Sequence, residues 1–191
     1  MNILQPYLDS AKGILLKADN DKYLSVESNY LEHVEASRDA WCPFCVFYIT
    51  KIDSNTIVLH TKGPYNQKKY LSRVWSDWVN HITGSKTEID EYCMFKVIVN
   101  GGKLVLRADN GKLLSRIERN GRQKIEADKF QDFFDESTKF RIVSEGNLTF
   151  FPNQIYFSFC LCSNKLSHKI KLLINQKYSY HSRRHGTFKL G

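Results

Sequence analysis

Ile14-Leu15-Leu16-Lys17-Ala18-Asp19-Asn20-Asp21-Lys22-Tyr23-Leu24-Ser25 returns, nearly residue for residue, as Leu104-Val105-Leu106-Arg107-Ala108-Asp109-Asn110-Gly111-Lys112-Leu113-Leu114-Ser115. A looser copy lies between them: Ile57-Val58-Leu59-His60-Thr61-Lys62, a longer turn, then Lys69-Tyr70-Leu71-Ser72-Arg73. The leucines before the serines fall at Leu24, Leu71 and Leu114, in steps of 47 and 43 residues. Two further segments keep the same phase. His33-Val34-Glu35-Ala36 matches His81-Ile82-Thr83-Gly84 and Lys124-Ile125-Glu126-Ala127, and the phenylalanines Phe47, Phe95 and Phe140 follow. Self-similarity at this period marks repeated supersecondary units that share one core.

Each piece alternates with the two-residue period of a strand: Ile14, Leu16 and Ala18 point one way, Leu15 and Lys17 the other. Phe47 and Ile49, Phe95 and Val97, and Phe140 and Ile142 pair likewise. Asn20-Asp21 and Asn110-Gly111 stand where the first strand reverses into the second, and their tolerance of positive φ predicts type I′ hairpin turns. Asp53-Ser54-Asn55 and Asn100-Gly101-Gly102 separate one repeat from the next. Three repeats of four strands predict an all-β fold, a twelve-stranded β-trefoil. A propeller blade also holds four strands, but three blades fall below the usual four to eight.

The repeats predict one trefoil domain within residues 1–145, followed by a basic, aromatic-rich extension, 146–191, with too little apolar material for an independent core. The formal charge of +8 belongs almost wholly to that extension. It carries seven Lys and Arg and no acid, which leaves 21 cations against 20 acids in residues 1–145. A nearly neutral trefoil argues against nucleic acid as partner. Met1–Asp9 has neither a basic n-region nor an unbroken apolar run, so a secretory signal is not expected. No stretch reaches the length of a membrane span. The expectation is a soluble cytoplasmic or nucleocytoplasmic protein.

Enzyme signatures fail one after another. Trp41-Cys42-Pro43-Phe44-Cys45 has C-x-x-C spacing, but it runs into Val46-Phe47-Tyr48-Ile49, a strand, whereas thiol–disulfide catalysis places its first thiol at a helix N-terminus. Cys42, Cys45, Cys160 and Cys162 have irregular spacing for zinc, and five thiols in an unsecreted chain are expected to stay reduced. Glycine-rich phosphate loops, G-x-S-x-G and H-E-x-x-H are absent. The acids Glu88, Asp90, Glu91, Asp132, Asp135 and Glu136 cluster before the fourth strands and read as solvated loop charges. No catalytic residue, metal site or cofactor is expected.

What stands out is Arg73-Val74-Trp75-Ser76-Asp77-Trp78-Val79-Asn80-His81, between the second and third strands of repeat two. Tryptophan faces beside Ser, Asp, Asn and His supply what a sugar demands: a flat apolar surface for its CH face and directional partners for its hydroxyls. The plainer alternative makes either tryptophan a plug closing the bottom of the barrel.

The sequence resembles the amaranthin-like plant agglutinins. The resemblance rests on Leu16 to Ser25, on Lys69-Tyr70-Leu71 followed by Arg73, on Trp75-Ser76 leading to Ile82-Thr83, and on Cys93-Met94-Phe95-Lys96-Val97. It covers about residues 10–145. It implies a β-trefoil lectin that binds N-acetylgalactosamine and the T-antigen disaccharide on glycans or glycoproteins. It also implies a head-to-head homodimer in which a partner domain joins the Trp-Ser loop, in a role compatible with defence. Carried over, the contacts fall at Trp75, Ser76, Asp77, Trp78, Asn80 and His81. After Trp-Ser the family continues with Pro, Asn, His, Tyr and Trp, where this chain has Asp77, Trp78, Val79, Asn80 and His81. A second reading, from a different class, is a fascin-like protein-interaction or actin-crosslinking trefoil. The two differ in what they require: a pocket with an exposed tryptophan for a lectin, broad charged patches for an actin binder.

Overall fold

The computed structural model describes residues 4–8, 13–27, 32–62, 67–130 and 132–144; the extension 146–191 expected from the sequence lies outside them. Among the described residues a short helix, α1 (Gln5–Leu8), is followed by twelve strands: β1 (Ile14–Lys17), β2 (Tyr23–Val26), β3 (Val34–Arg38), β4 (Val46–Lys51), β5 (Thr56–Lys62), β6 (Lys68–Ser76), β7 (Val79–Lys86), β8 (Met94–Asn100), β9 (Lys103–Arg107), β10 (Leu113–Arg119), β11 (Arg122–Lys129) and β12 (Arg141–Ser144). Four strands fall in each repeat, as the period requires.

The first and fourth strands of the repeats close a barrel. β1 pairs with β4, β4 with β5, β5 with β8 and β8 with β9; the Leu104–Phe140 bridge and the β12–β1 ladder complete the ring. The second and third strands make three hairpins that cap one end: β2–β3, β6–β7 and β10–β11. The hairpins meet pairwise, at Lys124–Glu35, Glu126–His81 and His33–Thr83. This is a β-trefoil.

The core repeats the sequence phase. Phe47, Phe95 and Phe140 are each 0% exposed, and Leu24, Leu71 and Leu114 are 4%, 2% and 3%. Val34, Ile82 and Ile125 join them beneath the hairpins. Removing a leucine so enclosed costs about 2–5 kcal/mol, comparable with a domain's whole stability. The strict alternation expected for β1 is exceeded. Leu15, on the outer side, is as buried as Ile14, because Cys45, Val46, Trp41 and Tyr48 form a second apolar cluster over it.

The first turns differ from the type I′ expectation. Asp21 and Gly111 alone take positive φ there (58° and 78°), and each donates its N–H back to Ala18 and Ala108 at 3.0 Å. That is a three-residue loop, a type I turn followed by one left-handed residue. The asparagines serve differently from the expectation. Asn20 donates its side-chain N–H to Ala36 O (3.0 Å) and accepts from the Lys22 amide (3.1 Å); Asn110 does the same with Ala127 (3.2 Å) and Lys112 (3.0 Å). Each turn is thus tied to its repeat's third strand.

Candidate carbohydrate site

The segment expected as a connecting loop is instead continuous hairpin. β6 and β7 stay in register to Ser76–Val79, leaving Asp77-Trp78 as a two-residue tip with φ of 51° and 62°. Positive φ at both positions is a type I′ turn. The corresponding tip in repeat three is Asn120-Gly121 (51° and 72°), closing on Arg119–Arg122. Trp78 therefore stands where the sister hairpin uses glycine. A bulky residue in that region is sterically disfavoured, so the turn holds its tryptophan against a local cost.

That cost places an aromatic pair in solvent. Trp78 is 89% exposed and Trp75 is 55% exposed. Their rings meet edge to face, with centroids 6.2 Å apart and planes at 86°, a favoured arrangement for two aromatic quadrupoles. Neither ring plugs the barrel.

The six expected contacts do not converge on one surface. Trp75 is paired with Asn80 and so shares its face, with Arg73 two residues away on the same side; Ser76, Val79 and His81 alternate to the other. Asp77 and Trp78 project at the tip, and Asp77 is exposed. Asn80 is only 8% exposed, and its side-chain oxygen accepts from Arg73 Nη1 at 3.0 Å. Gln123 takes the same part with Arg116 in repeat three, so the Asn80 bond is a feature of the frame.

His81 belongs to the interior. It is 5% exposed, its ring lies 4.7 Å from that of His33, and its Nδ1 is 3.8 Å from Glu126 Oε1. Burial, with Lys124 nearby, holds its pKa below the ordinary histidine value, against the opposing pull of Glu126. The His81 ring faces the hairpin junction, on the side of the ribbon opposite Trp75.

The sequence reading missed what continues the Trp75 face. Arg73 Nε donates to Asp109 Oδ1 at 2.7 Å, and the guanidinium stacks 5.2 Å from the Tyr92 ring. Lys86 lies 4.7 Å over the same ring, which is 38% exposed. One strip thus runs from Trp78 and Trp75, past Arg73 and Asn80, to Asp109 and Tyr92. The signal for Arg73 and Asp109 was in the repeat itself, since Arg116 and Asp19 form the equivalent pair (2.5 and 2.7 Å).

A separate cleft of about 260 Å³ lies among Lys17, Asp21, Lys103, Glu136, Lys139 and Arg141. Its carboxylates are already engaged inside the protein: Lys17 and Arg141 pair with Asp21, and Lys103 and Lys139 with Glu136. It lacks an aromatic wall. Among the described residues no cluster of His, Cys, Asp and Glu is arranged for a metal ion, and no helix is long and apolar enough to cross a membrane. The zinc set considered above includes Cys160 and Cys162, outside the described residues.

No family model and no curated protein matches the chain. Among solved structures, Cry35Ab1 is similar with a TM-score of 0.56 and 15% identity, over 72% of this chain and 36% of that one. The chain therefore spans little more than a third of that protein. A designed 3-fold symmetric protein, ThreeFoil, is similar with the same TM-score of 0.56 and 15% identity, over 69% of this chain and 97% of its own. Likeness at that identity carries the fold, and the chain shares its three-repeat β frame with a protein designed to be three-fold symmetric.

Proposed function

We propose that this chain is a non-catalytic lectin that binds galactose-type sugars, N-acetylgalactosamine among them, at the β6–β7 hairpin tip. The observation that carries the reading is Trp78. A bulky residue kept in left-handed backbone, 89% exposed beside a second exposed tryptophan, is maintained against both conformational cost and solvation. Stacking a sugar's CH face on it removes about 100 Å² of apolar surface from water, worth roughly 2.5 kcal/mol at about 25 cal/mol per Å². In this reading the exposed Asp77 carboxylate accepts from sugar hydroxyls at the rim. Asn80, His81 and Asp109 act as supports in this reading, and the exposed Tyr92 ring extends the strip.

A shallow site of this kind has a dissociation constant of about 0.1–1 mM, or roughly 4–5.5 kcal/mol. Agglutination then needs two sites per assembly, which the homodimer implied by the resemblance supplies. The test is titration with N-acetylgalactosamine followed by tryptophan fluorescence, with the oligomeric state measured on the same sample. A saturable response that Trp78→Ala abolishes is expected. A dimer indifferent to every galactoside, with no change in Trp78→Ala, overturns the lectin reading in favour of a fascin-like interaction module.

A further inference from the structure

Each repeat enters its last barrel strand through a short 3-10 turn, and the three turns are chemical variants of one design. They are Pro43–Cys45, Glu91–Cys93 and Glu136–Thr138, preceded by Cys42, Asp90 and Asp135 in extended backbone. The third turn residue is buried in every case: Cys45, Cys93 and Thr138 are all 0% exposed. In repeat two the Cys93 thiol donates to the Asp90 carboxylate at 3.3 Å. In repeat three the Ser137 hydroxyl donates to the Asp135 carboxylate at 2.5 Å. Repeat one puts a sulfur where the others put a carboxylate, and Cys45 Sγ lies 3.3 Å from Cys42 Sγ. Two repeats therefore show that this position accommodates an anion with a donor beside it.

Access and surroundings separate the two thiols. Cys42 is partly exposed and Cys45 is enclosed by Leu15 and Val46. Arg38, gripped by Glu27 through Nε (3.1 Å) and Nη2 (2.6 Å), brings positive charge to the same corner.

We propose that Cys42 and Cys45 form an oxidisable dithiol, with Cys42 as the nucleophile toward hydroperoxides and Cys45 as the resolving thiol. The Cys42 thiolate attacks one peroxide oxygen, the O–O bond breaks, and the leaving alkoxide takes a proton to become an alcohol. Cys42 is then a sulfenic acid. Cys45 sulfur attacks it, the S–O bond breaks, and water departs with the Cys45 proton. The balance is two thiols and one hydroperoxide giving one disulfide, one alcohol and one water. The pKa directions agree with these parts. The hydrogen bond from Cys45, with the Phe44 amide and Arg38, draws Cys42 below the ordinary thiol range although burial opposes it; the same bond and burial push Cys45 up. Cys93, beside Asp90 and buried, is also pushed up and serves as the internal comparator.

The experiment uses the full chain carrying Cys160→Ser and Cys162→Ser, fully reduced, with hydrogen peroxide as the probe. Cys42 is expected to alkylate with iodoacetamide about tenfold or more faster than Cys93 at neutral pH, as a thiolate-rich site should. Peroxide should remove the mass of two hydrogens from the peptide 39–51, reversibly with a reducing agent. Cys45→Ser should stop at a dimedone-reactive sulfenic acid on Cys42. Cys42→Asp copies the neighbouring repeat, so it should fold and show neither change. Equal alkylation of Cys42 and Cys93, or peroxide leaving peptide 39–51 unaltered, overturns the proposal.

Discussion

Trp78 holds φ at 62° in a position that repeat three gives to Gly121, and the comparison of glycine with alanine there isolates the backbone term. Both substitutions delete the indole and its contact with Trp75. Only alanine keeps a Cβ against the neighbouring carbonyl, a clash worth about 1–2 kcal/mol; glycine's greater freedom in the unfolded chain offsets about 0.4–1 kcal/mol of that. Trp78→Gly is therefore expected to be more stable than Trp78→Ala by about 1 kcal/mol in urea denaturation, while both lose sugar binding alike. Alanine ahead of glycine would mean the tip is not left-handed. If binding survives in both, the strain serves something other than a sugar. At the same scale, Asn80 has a partner inside the protein. A carboxamide beside tryptophans reads as a sugar partner, yet its oxygen is occupied by Arg73 within the protein.

At the scale of elements, the hairpins are bolted to the neighbouring repeat's turn by an arginine–aspartate fork, Arg116 to Asp19 and Arg73 to Asp109. The third fork is missing by residue type: Val26 stands in the arginine's place and Lys62 in the aspartate's. Val26 instead packs over Gly84, where an added Cβ would lie 2.9 Å from its methyl groups; Ala36 and Ala127 hold that position in the other repeats. An ionic bolt has been exchanged for an apolar one. The Arg73 and Asp109 side chains are 13% and 19% exposed, so Asp109→Ala leaves a largely buried guanidinium without its carboxylate and should cost about 1–3 kcal/mol; Asp19→Ala should match it. Asp39→Ala breaks the Lys22 pair, in which the aspartate is 83% exposed, and should fall within about 0.5 kcal/mol of wild type. Denaturation midpoints of the three variants check the order, and a costly Asp39→Ala with a silent Asp109→Ala would contradict it. The apolar frame was legible because Leu24, Leu71 and Leu114 must occupy equivalent places, and hydrophobic phase reports that directly. The turns were less legible. Asn-Gly marks the type I′ tip of repeat three, but Asp-Trp disguises the same geometry in repeat two. Asn20-Asp21 imitates a two-residue turn while its asparagine is spent on Ala36. Sequence pattern records which side chains are apolar; it does not record which backbone conformations are held against preference.

Across the whole molecule, acid should act first through histidines enclosed at the joints between strands. His33 is brought down from 6.5 to about 4 by burial, with Lys124, His81 and Arg122 adding to it. His60, stacked on Tyr70 with ring centroids 5.6 Å apart, is brought down to about 4 by burial, with Lys68 and Lys62. His81 is lowered as well. A histidine whose folded pKa lies below its unfolded value binds more protons when unfolded. Its stabilising contribution is therefore complete above about 6.5 and drains away as pH falls toward about 4. Asp19, lowered chiefly by its bond to Arg116, and Asp135, lowered chiefly by the Ser137 hydroxyl, continue the loss below 3.8. Both sets act in the same direction, so the trefoil should show a stability plateau above neutrality and a decline that begins well before its carboxylates titrate. Urea midpoints at pH 7.5, 5.5 and 4.5 should descend, and the His33→Gln, His60→Gln double variant should flatten that limb while keeping the later carboxylate-driven fall. A wild-type profile that stays level down to pH 4.5 would mean these imidazoles accept protons without leaving the fold, and that the hairpin junction is wetter than its burial implies.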